Sequence, residues 1–277
     1  MAGTLYLVAT PIGNLDDITL RALKVLKEGD LIAAEDTRHT LGLLNHFEIS
    51  KPLISYYKQI EKSKSDVLIP KLLEGKNIAV VSDAGTPGIS DPGEEIVKQA
   101  IENGIKVVPI PGACAFVNAI IASGMPTNEF EFIGFLSANK KERKEKIEEI
   151  EYDTRTLVFY EAPHKLQATL ETMLEVLGDR KVVLARELTK IHEEYIRGSL
   201  STVLEQIVDI KGEFVIILEG NSVSKQELEK NNLNEKSLEE HYTFYKTQGL
   251  DKKEIIKRIA KDRGVNKNEI YQYFLEN

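Results

Sequence analysis

IAVVSDAGTPGISDPG, residues 78–93, joins four consecutive apolar residues to a loop in which three glycines and two prolines fall within twelve positions. A short run that is apolar on both alternating faces is the pattern of a strand buried on both sides, as in a parallel sheet covered by helices. The glycine and proline density at 82–93 forces an irregular backbone whose amides and carbonyls can approach a ligand closely. Asp83 and Asp91 add acceptors suited to ribose hydroxyls or an ammonium group. A connection with purely structural duty seldom needs so many special residues. In open α/β sheets, ligands bind at strand ends, so this one stretch sets an expectation for both fold and site.

The same alternation extends to either side. Upstream lie LYLVA at 5–9, a helical pattern at 19–27, LIAA at 31–34, a second helical pattern at 37–46, LISYY at 53–57 and a third helix at 66–74. Downstream come a helix at 93–103 and the strand KVVPI at 106–110. Strands alternating with helices predict a mainly parallel sheet. After a helix at 114–123, a second series runs EFIGF at 131–135, helix 141–150, TLVFY at 156–160, helix 165–177, KVVLAR at 181–186, EEYIRG at 193–198, helix 201–209 and EFVIILE at 213–219. The fold class is therefore α/β in two domains, 1–116 and 117–220, the second with mixed strand directions. Residues 221–236 have the polar composition of a solvated linker. A helix-turn-helix-sized module at 237–277 follows, with two helical patterns about Gly264 and Ile255, Ile256, Ile259, Ala260, Val265, Ile270 and Phe274 as its apolar face.

The 277 residues are 42% apolar and 29% charged, the composition of an ordinary globular chain, and the length suits two domains with an appendage. The single Cys114 has no partner for an internal disulfide, and no apolar run approaches the roughly 18 residues of a membrane span. The start MAGTLYLVAT has neither the basic flank nor the apolar core of a secretion signal, so a cytoplasmic, membrane-free protein is expected. A net charge of −8 disfavours nucleic acid unless local patches compensate. Two do so: Lys140, Lys141, Arg143, Lys144 and Lys146, and the segment 250–275, with seven basic residues against four acidic ones. Either patch can equally be a solvated face.

Three more loops follow strands. TPIGN, at 10–14, turns at Pro11 and Gly13, but with one glycine and no lysine it is neither a dinucleotide nor a nucleoside-triphosphate loop. EDTR, at 35–38, crowds three charges against a strand end; Asp36 or Thr37 suits a helix cap, which leaves Glu35 and Arg38 to explain. PGACA, at 111–115, has side chains small enough for a flat ring to lie on the backbone, and Cys114 reads as packing rather than as a nucleophile. The histidines His39, His46, His164, His192 and His241 show no metal-ligand spacing, so no metal is expected.

TPIGNLDDITLRAL at 10–23, AAEDTRHT at 33–40, VSDAGTPGISDPG at 81–93, FYEAPH at 159–164 and ARELTK at 185–190 together resemble the tetrapyrrole methylase family, the class III S-adenosylmethionine methyltransferases. The resemblance covers residues 5 to about 220 and is nearest to members that modify ribosomal RNA, whose terminal extension the helical module also resembles. It implies two α/β domains with S-adenosylmethionine folded into the cleft between them, held by Pro11, Ser82, Asp83, Ala84, Gly85, Thr86, Ile89, Cys114, Ala115, Arg186, Glu187 and Leu188. It implies methylation of the ribose 2′-hydroxyl of a cytidine in the decoding centre of 16S rRNA, within the small ribosomal subunit, by a homodimer. Many family members carry a serine after the Pro-Gly pair where this chain has Ala113 and Cys114, which removes one hydroxyl from the cofactor's surroundings.

Methyl transfer to a hydroxyl is an in-line displacement that needs alignment and a proton acceptor. Asp36 and Glu161 are candidate acceptors, Arg38 a phosphate or transition-state anchor, and His164 an alternative base. A precorrin-type tetrapyrrole C-methyltransferase would share the fold and cofactor but have little use for the terminal module. A non-catalytic nucleic-acid-binding protein would not need charged strand ends in both domains.

Overall fold

The computed structural model describes residues 1–207 and 210–276. Five strands, β1 (Thr4–Val8), β2 (Leu31–Ala34), β3 (Leu53–Ser55), β4 (Ile78–Val81) and β5 (Lys106–Ile110), form a parallel sheet in the order β3-β2-β4-β1-β5. Every residue of β4 is buried, as its unbroken apolar run requires. Helices α1 (Leu20–Glu28) and α2 (Thr37–His46) cover one face through Ala22, Leu26 and Leu44. Helices α3 (Glu61–Leu73) and α4 (Glu94–Glu102) cover the other through Leu68, Leu72 and Ile96.

A second sheet follows α5 (Ala115–Ile121). It contains β6 (Phe130–Phe135), β7 (Thr156–Glu161), β8 (Lys181–Arg186), β9 (Glu194–Ser199) and β10 (Phe214–Leu218), ordered β6-β7-β10-β8-β9. Among these neighbours β6 and β7 run parallel and the remaining pairs antiparallel, the mixture expected. Its helices are α6 (Lys140–Glu149), α7 (Pro163–Leu177) and α8 (Leu200–Leu204). The helix expected over 201–209 thus ends early, and its last two positions lie outside the described residues. The final strand, β10, is the central one.

Strand β6 carries a bulge. Phe132 pairs with Val158, but Gly134 pairs with Phe159 and Phe135 with Tyr160. Val158 and Tyr160, two residues apart, share a face of β7, so their partners Phe132 and Phe135, three apart, share a face as well. Gly134 makes this possible by taking φ 77°, a conformation that side chains rarely adopt.

Residues Met1–Glu148 with Arg155–Glu219 form one compact unit, and Glu149–Thr154 joins the described residues from Gly220 onward in a second. The boundary drawn at 116/117 therefore separates two sheets of one unit. Helix α5 explains this: it continues directly from the first sheet and buries Ala119 and Ile120 in the core of the second.

The second unit holds α9 (Lys225–Glu235), α10 (Leu238–Thr247), α11 (Lys252–Arg263) and α12 (Lys267–Glu276). The linker expected at 221–236 is thus largely helix. Its start is a capping box, in which Ser224 Oγ accepts from Glu227 N–H and the Glu227 carboxylate accepts from Ser224 N–H. It looks polar because Leu233 is its one buried side chain. The predicted apolar face of the module is present: Ile255, Ile256, Ile259, Ala260 and Ile270 are buried with Leu233 and Tyr245. Gly264 ends α11 in the left-handed conformation. Arg263 donates to the Ser237 carbonyl at 3.2 Å and to Nδ1 of the buried His241 at 3.3 Å. Among the described residues no helix is long and apolar enough to cross a membrane.

Candidate functional site

The four strand-end loops are tied to one another by hydrogen bonds. Thr10 and Gly85 exchange backbone bonds of 2.8 and 3.1 Å, which joins TPIGN to the glycine-rich loop. Gly85 has φ 83°, and a side chain there would also meet Ile12 at 3.2 Å. Thr86 Oγ1 donates to the Ala113 carbonyl at 3.0 Å, which joins the glycine-rich loop to PGACA. Asp36 N–H donates to Asp83 Oδ1 at 2.9 Å and Asp83 N–H to Glu35 Oε2 at 3.4 Å, so EDTR is stitched in as well.

Between these loops and the second sheet lies a cavity of about 610 Å³. Glu35, Asp83 and Asp91 give it a negative end, while Ile12, Ala84, Leu188, Phe214 and Val215 give it apolar walls. Burial raises the Glu35 carboxyl above its ordinary value, helped by the Asp83 charge and opposed by the Asp83 N–H. Burial, then the charges of Glu35 and Asp83, push the Asp91 carboxyl up to about 6. Burial likewise raises the Cys114 thiol, which keeps it protonated and agrees with a packing role. Tyr160, raised chiefly by burial, stays a neutral phenol and accepts from Phe116 N–H at 3.2 Å.

Residues 4–204 match the family described as Tetrapyrrole (Corrin/Porphyrin) Methylases. The chain belongs to this family. Two relatives are each called Ribosomal RNA small subunit methyltransferase I. That of Halalkalibacterium halodurans is 52% identical over 98% of this chain and 94% of its own, and that of Bacillus subtilis is 47% identical over the same shares. Among solved structures, the methyltransferase CobJ superposes with a TM-score of 0.59 at 18% identity, covering 80% of this chain and 95% of its own. Uroporphyrin-III-C-methyltransferase from Thermus thermophilus gives 0.57 at 19%, covering 78% and 94%. At such identities the solved structures show the tetrapyrrole methylase fold alone.

The residues expected to hold a cofactor divide in two. Asp83, Ala84, Gly85, Thr86, Ile89, Cys114, Ala115 and Leu188 line the cavity of this tetrapyrrole methylase chain. Pro11, Ser82, Arg186 and Glu187 are not among the lining residues. Ser82 turns inward, its hydroxyl 3.3 Å from the carbonyls of Ala84 and Gly85, and so shapes the loop. Arg186 donates to the Lys211 carbonyl at 2.6 Å and pairs with Glu194. Glu187 accepts from Glu213 N–H at 2.9 Å and from Lys190 Nζ at 3.0 Å, fixing the turn before β10.

The expected catalytic residues also divide. His164, exposed at the start of α7, lines the cavity. Glu161 lies on the same wall but is spent: its side chain, 1% exposed, accepts from Thr169 Oγ1 at 2.6 Å and Ala162 N–H at 2.9 Å and pairs with Lys165 at 3.0 Å. That makes it a staple between β7 and α7 rather than a free acceptor. Asp36 and Arg38 are not among the lining residues. Asp36 caps α2, accepting from Arg38 N–H at 2.8 Å, and the Arg38 guanidinium holds its carboxyl down to about 2, a poor base. Its neighbour Glu35 is the member of EDTR that reaches the cavity, because the backbone turns into the helix at the next residue. Sequence reasoning passed over Glu35 as a site residue, and also Phe135, Tyr160, Glu213 and Phe214, which arrive from distant strands. The crowding of charge in EDTR was the signal for the first; for the others, the chain offers only strand-end position. Among the described residues no cluster could hold a metal ion.

Proposed function

We propose that this chain is an S-adenosylmethionine-dependent methyltransferase that works in the cytoplasm on 16S rRNA of the small ribosomal subunit, at the ribose 2′-hydroxyl of a decoding-centre cytidine. One observation carries the choice of substrate. Relatives named for ribosomal RNA match 98% of the chain, whereas the tetrapyrrole-methylating structure stops at 78% while using 94% of its own length. The excess over a tetrapyrrole methylase is explained by RNA and left idle by a porphyrin.

The cavity fits the cofactor. Its volume is within the range of small-molecule sites, its apolar walls suit an adenine, and its acidic end suits a cationic sulfonium and ammonium. When bound, S-adenosylmethionine supplies an electrophilic methyl group. Asp91, Asp83 and Glu35 would orient the positive part by charge, and Gly85 and Thr86 on the cavity wall would help to hold the ligand. The loops, held by their mutual hydrogen bonds, are preorganised, so little free energy is spent ordering them. A ribose hydroxyl is a weak acid, and His164 is the acceptor on the cavity wall outside the acidic cluster that serves the cofactor. Arg38, its side chain 89% exposed, is placed to exchange Asp36 for an RNA phosphate, with Asp36 aiming it beforehand.

Family resemblance further suggests a homodimer, which would cover the exposed apolar Val117 and Ile121 of α5; sedimentation would check it. The functional test is transfer of labelled methyl groups to small subunits, naked rRNA and a tetrapyrrole, with the modified atom mapped. Label on a ribose oxygen of 16S rRNA is expected. Label on tetrapyrrole carbon, with none on RNA, would overturn the reading.

A further inference from the structure

We infer that Phe135 is the platform on which the base of the acceptor nucleotide stacks, an inference that rests on the reading of RNA as substrate. Phe135 lies on the cavity wall and is 57% exposed, at the end of the edge strand β6. Plain alternation along β6 would send it to the face opposite Phe132. The bulge at Gly134 turns it instead to the face of Tyr160, on the cavity side. Bulges of this kind re-aim side chains beside active sites. The bulge also meets the cofactor loop, since a Cβ on Gly134 would lie 3.3 Å from Ser90 Oγ.

The ring is held in place. Tyr160 packs against it at 5.5 Å with the planes tilted by 59°, and Lys165 Nζ sits over it at 5.7 Å from the centroid. Lys165 is fixed in turn by Glu161 at 3.0 Å. Glu161 thereby acquires a purpose beyond joining β7 to α7, because it keeps the cation over the aromatic ring. A rigid, exposed aromatic surface at the mouth of a methyl-transfer cavity suits a flat heterocycle, and single-stranded RNA is recognised by bases splayed onto such rings. The cavity's own cofactor also contains a flat ring. Cofactor affinity, measured beside RNA methylation, distinguishes a ring that stacks the base from one that stacks the adenine.

The test uses the full-length protein with small-subunit RNA. Phe135→Ala should lower kcat/KM for RNA methylation by about tenfold or more, the loss typical of one base stack, with affinity for S-adenosylmethionine within twofold of the parent. Phe135→Tyr should recover most of the activity, and Phe135→Leu, apolar but not planar, should not. The chain contains no tryptophan, so Phe135→Trp provides a unique fluorophore whose emission RNA should quench. Parental activity in Phe135→Ala, full rescue by Phe135→Leu, or an equal loss of cofactor affinity would each overturn the assignment. Methyl transfer to no RNA at all by the parent would overturn the functional reading and this one with it, whereas an active parent with an indifferent Phe135 would overturn this one alone.

Discussion

Glu35, Asp83 and Asp91 line the cavity together, and burial, reinforced by the charges of Glu35 and Asp83, pushes the Asp91 carboxyl from 3.8 up to about 6. A folded-state value above the ordinary one means that the folded chain holds the proton more tightly than the unfolded chain. The contribution of this carboxyl to stability is therefore fully present below about pH 4 and is lost as pH rises through about 6. Asp91→Asn should stabilise the protein at pH 7 by on the order of 1 kcal/mol, after discounting for partial exposure, and the advantage should vanish at pH 4. Urea unfolding at the two pH values measures this. The same variant should bind S-adenosylmethionine more weakly, and its affinity should fall less steeply than the parent's as pH drops below about 6. Stability and ligand binding pulling in opposite directions is the pattern expected of a carboxylate retained for a cationic ligand. At Arg38, substitution by alanine should lower RNA turnover while leaving calorimetric cofactor affinity intact; weakened cofactor binding would place Arg38 elsewhere.

Among the elements, α10 depends on a buried histidine. Burial, and then the nearby Arg263, hold His241 below its ordinary value of 6.5, against a weaker pull from Asp262. A depressed histidine contributes stability that is present above pH 6.5 and lost as pH falls below it. The thermal midpoint of the helical unit should therefore drop between pH 7 and pH 5, followed by tyrosine fluorescence, and His241→Gln should flatten that drop. Legibility in the sequence varied by element for physical reasons. The parallel strands and the loops after them were readable because burial on both faces and special turn residues leave local marks, as in IAVV and SDAGTPG. Helix α9 left a mark too: Ser224 and Glu227 stand three apart, as do Ser237 and Glu240 before α10, yet the polar composition between them argued for a linker. The bulge left only Gly134 itself, a glycine inside an apolar strand, as its mark, while the register that brings Phe135 onto the face of Phe132 is set by pairing with β7. The crowded charges of EDTR marked the loop, but which of them turns inward is decided by the start of α2, where Asp36 caps the helix and pairs with Arg38.

On the scale of the whole molecule, the two basic patches are unequal. Arg143 is buried, donating to Thr172 Oγ1 at 3.3 Å, and Lys144 is paired with Glu175 at 2.6 Å, so α6 offers RNA less charge than its sequence suggests. Lys257, Arg258 and Lys261 of α11 are exposed and line one groove of the helical unit. Replacing these three by alanine should reduce the slope of log affinity against log salt for RNA by about 2, at about 0.7 per phosphate contact. An unchanged slope would leave α11 as a merely solvated face.

The central place of β10 has a consequence for how the protein comes into being. A ribosome making this chain delivers the first parallel sheet complete by Ile110, yet the gap between β7 and β8 stays open until Phe214–Leu218 emerges. Glu213, Phe214 and Val215 of the cavity wall arrive with that same segment. A nascent chain thus acquires its half-pocket of loops early and its enclosure abruptly, near the end of synthesis. An interrupted translation product would carry the most recognisable motifs of the sequence and yet be unable to enclose the ligand they suggest.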